Sequence, residues 1–370
     1  MGDIHGIPDD VLELILLRLP SPAHMIRAAA ACRRWHGVVA GARFLRRFAS
    51  RDGGRHLVAG SYRNGSRRFP SCPPERVRPA FVPAAARTTS PLPAARFSLN
   101  FLWRAPGSEE FVDPWFWRIR DSRGGLLLFA FEEREDCCPR WKMHTVVCEP
   151  LTRRYRVFPP MVRSARYHLH SGPFLLDGVG LSSFRVIMGW EGTRDFMGRT
   201  RASLFWHAGG GSVEALDRTT GEVSRSELPR AGGLDERAAA LKVTAGGDGE
   251  ARVLLAAAAG VVLKVFALPP SGGGGGGEWA LEKTIELAAV ARGLPGYHPS
   301  YFSAGEPAQW MIKVTDTGLV AVWRAGERWA CRLDIDTAEA EVVPEEDGRD
   351  VAFPCELPWP PVLRHLAAGV

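Results

Sequence analysis

Two histidines, His168 and His170 in Tyr-His-Leu-His, fall on one face of any strand that carries them, an arrangement a metal ion could use. No third ligand is apparent nearby, so both are read as surface or packed histidines. Cys137-Cys138-Pro139 lies among charged residues and reads as a loop, not as a reactive thiol pair. Glu132, Glu133, Glu135 and Asp136 make a solvated turn more readily than a general acid and base. The glycine run Gly272–Gly277 would suit a phosphate cradle. Such a loop needs a following Lys-Ser or Lys-Thr; Glu278-Trp279 stands there instead, and a flexible loop is expected. H-E-x-x-H, G-x-S-x-G and the Walker loop are all absent. Nothing in the sequence therefore points to a catalytic residue, a metal site or a cofactor, and a non-catalytic protein is expected.

The elements that would carry such residues are short. From about residue 97 onward, apolar or alternating runs are separated by Gly, Pro, Asp and Thr: Gly125–Phe131, Thr145–Cys148, Arg185–Trp190, Ala202–Trp206, Val253–Ala257, Val261–Ala267, Trp310–Val314, Leu319–Trp323 and Trp329–Ile335. Runs of this length, rich in Val, Leu, Phe and Trp, predict strands, and no strong amphipathic helix interrupts them. A weak repeat runs through the region. Glu149-Pro-Leu-Thr152, Asp217-Arg-Thr-Thr220 and Asp334-Ile-Asp-Thr337 each follow one strand and precede another, with a Pro stop beyond; Val265–Pro270 is a degenerate copy. Hairpins repeating at roughly 45–65 residues predict a propeller of about five or six blades. Tryptophans such as Trp103, Trp115, Trp117, Trp190, Trp206, Trp310 and Trp323 are read as blade core, one or two of them as rim anchors.

Before this region lie two different textures. Residues 49–96 are polar, Gly/Arg-rich and then Pro-rich, and are expected to form an irregular linker. Residues 1–48 read as a helical module. Pro8 suits a first helical position, with Asp9 and Asp10 at the positive helix start. Pro20-Ser21-Pro22 breaks the chain, and Ser21 is placed to cap a second helix. Ala28, Ala31, Cys32, Trp35, Val38 and Val39 then form one apolar stripe, extended by Phe44, Leu45 and Phe48. The first helix is different: seven of the nine residues Val11–Leu19 are apolar, whereas a helix on one core needs about three to four per two turns. The surplus must be covered by a second surface. A module this small has little core of its own, so a protein partner that completes it is expected, against burial of the helix in the large domain.

The bulk properties fit this plan. The chain has 370 residues, 45% hydrophobic and 24% charged, as in a folded domain with an appended module. No window of 18 apolar residues predicts a membrane span, and the N-terminus lacks the pattern of a signal peptide. Seven cysteines, irregularly spaced and without C-x-x-C, predict free thiols in a reducing compartment, cytoplasm or nucleus. Net charge is +6, but only five of the 47 basic residues are lysines and the arginines are scattered among 41 acids. That spread argues against a dedicated nucleic-acid surface.

Ile7-Pro8-Asp9-Asp10-Val11-Leu12 through Leu19-Pro20, followed by Cys32-Arg33-Arg34-Trp35 and Arg43-Phe44, resembles an F-box, with Ile7 in place of the usual Leu and small residues at 28–31. The remainder resembles the β-propeller-like domains attached to plant F-box proteins. That likeness is carried by Asp121-Ser-Arg-Gly-Gly-Leu-Leu-Leu-Phe129 and by Val147-Cys-Glu-Pro-Leu-Thr152, where Glu149 stands in place of the usual Asn. The resemblance implies an α+β multidomain chain, a small three-helix F-box before an all-β propeller-like domain at 97–370. It implies a substrate-recognition subunit of an SCF-type cullin-RING ubiquitin ligase. Ile7, Pro8, Leu12, Ile15, Leu16, Leu19 and Pro20 would contact a Skp-type adaptor, which bridges to cullin and RING subunits; Cys32 and Trp35 would join the shared core. On that reading, Leu12→Asp with Leu16→Asp removes docking and spares the β-domain. The alternatives are a propeller-type hydrolase or sugar-binding enzyme with a helical appendage, which needs a His, Asp or Arg cluster in a central channel, and a basic nucleic-acid-binding protein.

Overall fold

The structure, a computed structural model, describes residues 7–19, 28–29, 31–41, 43–44, 47, 58–65, 78–83, 94–102, 117–134, 140–164, 172–188, 195–209, 211–228, 240–256, 262–267, 279–302, 310–316, 318–324, 329–343 and 351–356. Helix α1 (Asp9–Leu17) starts one residue after Pro8, whose carbonyl accepts the first helical hydrogen bond from Leu12 N at 3.0 Å. Helix α2 (Arg33–Ala40) packs against it. Cys32 is extended, at φ −158° and ψ 159°, and its Sγ accepts a hydrogen bond from Trp35 N. The single stripe expected from Ala28 to Val39 is therefore split. The thiol caps a new helix, so Ala31 and Cys32 are exposed while Val39 is buried.

The rest of the described chain is a propeller-like ring of antiparallel sheets. The first sheet joins β1 (Val58–Arg63) and β2 (Ala80–Pro83) to the last strand, β21 (Ala352–Glu356), in the order β2-β1-β21. The second is β3 (Arg118–Arg123), β4 (Leu126–Arg134), β5 (Arg140–Glu149) and β6 (Arg154–Ser164). The third is the hairpin β7 (Phe174–Gly180) and β8 (Ser183–Ile187). The fourth runs β9 (Phe196–Arg199), β10 (Ser203–His207), β11 (Ser212–Asp217) and β12 (Val223–Glu227). The fifth, β13 (Ala240–Ala245), β14 (Ala251–Ala256), β15 (Val262–Ala267) and β16 (Ala280–Glu286), is continuous with the fourth through a parallel β9–β13 pair, the two making one eight-stranded sheet in the order β12-β11-β10-β9-β13-β14-β15-β16. The sixth is β17 (Trp310–Asp316), β18 (Leu319–Arg324), β19 (Ala330–Asp334) and β20 (Ala340–Val342).

The leading strands β21, β3, β9, β13 and β17 line the middle, with β21 between β3 and β17, and β7 packs against β3 and β4. Pairing β21 with β1 ties the last described strand to the first. At one junction the backbones nearly touch. Gly198 pairs in parallel with Val243, and a Cβ at Gly198 would lie 1.9 Å from the Val243 carbonyl oxygen, so only glycine fits.

Each of the nine predicted runs coincides with a strand, with the end residues Gly125, Met188, Ala202, Trp329 and Ile335 falling just outside it. The repeat is a physical one. Asp217 Oδ1 accepts hydrogen bonds from Thr219 N and Thr220 N at 2.7 and 2.8 Å, and Asp334 Oδ1 accepts from Asp336 N and Thr337 N at 2.8 and 3.1 Å. These side chains close the turns between the third and fourth strands of the fourth and sixth sheets. In the second sheet Thr152 Oγ1 donates to Glu149 Oε2 at 2.5 Å, the same turn with its polar partners exchanged. Segment 49–96 departs from the expected linker: β1 and β2 belong to it, and their partners are each other and β21. His168, His170, Cys137, Cys138, Gly272–Gly277, Trp103, Trp115, Trp190 and the end of the Val265–Pro270 copy lie outside the described residues.

Between sheets the core is a chain of apolar clusters. Leu126, Leu128 and Leu175 join the second sheet to the third, and Phe174, Leu204, Trp206 and Leu216 join the third to the fourth. The largest cluster is shared by the helices and the ring: Leu12, Leu16, Leu17, Val39 and Phe44 are contiguous with Tyr62, Phe97, Ile119, Phe129 and Phe353. Trp206 and Trp117 are core, as expected.

Candidate docking face and central cavity

Helix α1 uses its apolar surplus on two sides. Leu12 and Leu16 are 2% and 1% exposed and belong to the shared core. Val11, Leu14 and Ile15, at 41%, 49% and 46%, form a continuous outward stripe at i, i+3 and i+4. Between the two faces Glu13 is buried and ion-paired with Arg47 at 2.6 Å and Arg43 at 3.8 Å. Arg34 from α2 pairs with Asp9 at 2.8 Å and also donates to the Ile7 carbonyl. The start of α1 is thus pinned from one side and left bare on the other.

The expected contact residues divide accordingly. Pro8 and Ile15 are exposed, and Ile7 is half-buried and packs against the shared core. Leu12 and Leu16 face inward, Leu19 and Trp35 pack on the core, and Cys32 is exposed as the cap of α2. Pro20 lies outside the described residues. Acidic substitution of Leu12 and Leu16 would therefore strike the core that helices and ring share, and cannot isolate docking. Val11 and Leu14 were readable as part of the apolar surplus, but which two faces it divides into depends on what packs behind the helix.

Residues 4–51 match the F-box-like family model. This F-box-like module precedes the propeller-like domain. Its matched span includes both α1 and α2, and so the bare stripe. Among solved structures, the β-propeller domain of Cps50 (Swd1) from Myceliophteria thermophila is similar over 61% of this chain and 72% of that one, with 10% identity and a TM-score of 0.29. The search of curated proteins gives no match.

A second feature is a buried carboxylate. Asp121 on β3 is fully buried. Its Oδ1 accepts from Ser122 N at 2.9 Å and Arg199 at 2.5 Å; its Oδ2 accepts from Leu175 N at 2.9 Å and Arg218 at 2.6 Å. One side chain thus ties the second, third and fourth sheets together at the inner rim. Arg218 is 3% exposed and also donates to the Leu175 carbonyl. Burial, followed by the neighbouring Arg123 and Arg199 charges, lowers its guanidinium to about 10, against the pull of Asp121. Asp121 opens the Asp-Ser-Arg-Gly-Gly run, so its position, though not its role, was visible in the sequence.

Inside the ring is a cavity of about 360 Å³, bordered by residues of all the sheets except the third. Arg123, Arg199, Arg201 and Arg218 line it with a single carboxylate, Glu356. Glu356 accepts from Gly124 N at 3.1 Å and lies 3.7 Å from Arg201. Among the described residues no group of three or more His, Cys, Asp or Glu is placed to hold a metal ion. Nor is any helix long and apolar enough to cross a membrane.

Proposed function

We propose that this chain is the substrate-recognition subunit of an SCF-type cullin-RING ubiquitin ligase, itself non-catalytic. The F-box-like module at 1–48 docks a Skp-type adaptor, and through it the cullin and RING subunits, while the propeller-like domain holds a protein target for ubiquitination. The observation that carries the reading is the bare Val11–Leu14–Ile15 stripe inside the F-box-like match. Three adjacent apolar side chains left nearly half exposed on a helix whose other side is fully packed are the half-built interface that a partner would complete. Ile7, Pro8 and Ile15 are the adaptor contacts on this reading, joined by Val11 and Leu14; Leu12, Leu16, Leu19, Cys32 and Trp35 hold the helices in place behind them. The free thiols at Cys32, Cys148, Cys331 and Cys355 suit a reducing compartment, cytoplasm or nucleus.

The test is co-purification of the full-length chain with a Skp-type adaptor. Wild type should be retained, and the Val11→Ala/Leu14→Ala/Ile15→Ala variant should be lost while remaining folded. Equal retention of both proteins would reject the stripe as the docking face.

A further inference from the structure

The third sheet stops after two strands, β7 and β8; the second and sixth have four, and the fourth and fifth have four each within their joint sheet. Strand β8 pairs with β7 on one side only. Among the described residues its other edge offers backbone N–H and C=O groups to no strand. From the second sheet, β6 turns alternate residues of one face, Arg154, Arg156 and Phe158, toward this hairpin. The Arg156 guanidinium lies 5.8 Å over the Phe184 ring, and Phe158 meets the same ring edge-on at 6.0 Å. Arg154 and Arg156 are exposed, and neither has an ion pair or hydrogen bond with another described residue. Glu149, beside Arg154 in register, accepts from Thr152 instead. Phe184 and Val186 of β8 are only half-buried against the second sheet, and Ile187 only half-buried toward the fourth. On the fourth sheet Val223 is 48% exposed; it stands beside Leu216, which packs against this hairpin, and so shares its face. Glu214 and Arg225 are neighbours on that face, the glutamate buried and the arginine bonded to Ser212 Oγ.

We propose that the open edge of β8 receives an extended segment of another protein, one in which carboxylates alternate with apolar side chains. Such a segment continues the ladder through its backbone, which supplies affinity whatever its sequence. Its side chains point alternately to the two faces, one set toward Arg154 and Arg156, the other toward Val223. Carboxylates in the first set pair guanidiniums that the fold leaves unpaired, and apolar groups in the second cover the exposed valine. A second copy of this chain fits poorly, because it would set these arginines against their own kind. The inference rests on the proposed function only in making the segment part of the target. No residue of the Val11–Leu14–Ile15 stripe lies at this edge, so adaptor retention and segment binding fail separately.

Fluorescence anisotropy of the full-length chain with three labelled peptides tests it. The first alternates Glu and Val over about eight residues, the length of a strand. The second replaces each Glu by Lys, and the third is the Glu peptide with every backbone nitrogen methylated, which keeps the charge and cannot join a ladder. Saturable binding is expected for the first alone, weakening as salt is raised. Arg154→Gln with Arg156→Gln should weaken it about tenfold, as loss of two exposed ion pairs does. The thermal midpoint of the unliganded protein should not change, because both side chains are exposed. Arg332→Gln, which breaks the pair with Glu341 on the sixth sheet, is the control that should bind as wild type. Absence of saturable binding by the Glu peptide would overturn the proposal, as would wild-type affinity in the double variant. Equal binding of the methylated peptide, or of a single-stranded DNA oligonucleotide, would overturn it as well, by reducing the edge to a patch of charge. So would a dimer of the free chain in sedimentation that the double variant does not alter and the Glu peptide does not compete with.

Discussion

Truncating Val11, Leu14 and Ile15 together to alanine isolates docking from folding. Each keeps between 41% and 49% of its surface in water, so about half of its transfer energy is still available to a partner. Full burial of such a side chain gives about 1.5–3 kcal/mol, so the unused half is about 1 kcal/mol per residue and about 3 kcal/mol for the stripe. At about 1.4 kcal/mol per decade, the triple variant should bind the adaptor about 100-fold more weakly. Its stability should hardly move, because exposed positions tolerate substitution within about 0.5 kcal/mol and alanine favours helix. Leu16→Ala is the counterpart. At 1% exposure it should lower unfolding free energy by about 2–5 kcal/mol, through lost burial and the cavity left behind. Surface plasmon resonance on immobilised adaptor gives the affinities and urea unfolding the stabilities. If the triple variant kept wild-type affinity, or if Leu16→Ala lost adaptor binding at full stability, the assignment of the two faces would be wrong.

Removing Asp121 should be far more damaging than its single charge suggests: Asp121→Ala leaves the buried Arg218 unpaired and should cost about 3–5 kcal/mol in urea unfolding, so a loss under about 1 kcal/mol would refute its role as the tie between three sheets. Burial raises the thiols of Cys148, Cys331 and Cys355, the last two to about 11 and about 12, whereas Cys32 is exposed. Native iodoacetamide treatment at pH 8 should therefore label the Cys32 peptide and spare the other three until the protein unfolds, read by mass spectrometry; labelling of Cys148 at the Cys32 rate would contradict that packing. The five lysines, Lys142, Lys242, Lys264, Lys283 and Lys313, all lie on strands of the ring. Self-ubiquitination in a reconstituted ligase should therefore depend on these five, and a variant with all five changed to Arg that was modified as fully as wild type would disprove it.

Local pattern was enough for much of this protein. A strand needs only its own alternation and a stop, so the nine runs beyond residue 97 announced themselves. The Asp217 and Asp334 turns were legible for the same reason, since the carboxylate and the backbone N–H groups it satisfies lie two and three residues apart. The apolar excess of Val11–Leu19 also required a second surface before any packing was known.

Tertiary structure decided the rest, because the partners are remote. Asp121 is satisfied by residues 54, 78 and 97 positions away. Strand β1 draws its identity from β21 at the far end of the chain, which is how a Pro- and Arg-rich segment became part of a sheet. Which side of α1 faces out was set by Tyr62, Phe97 and their neighbours behind it, not by the helix itself. A sequence states how much apolar surface and charge a segment carries; only the assembled chain determines which of it is covered and which is left for another molecule.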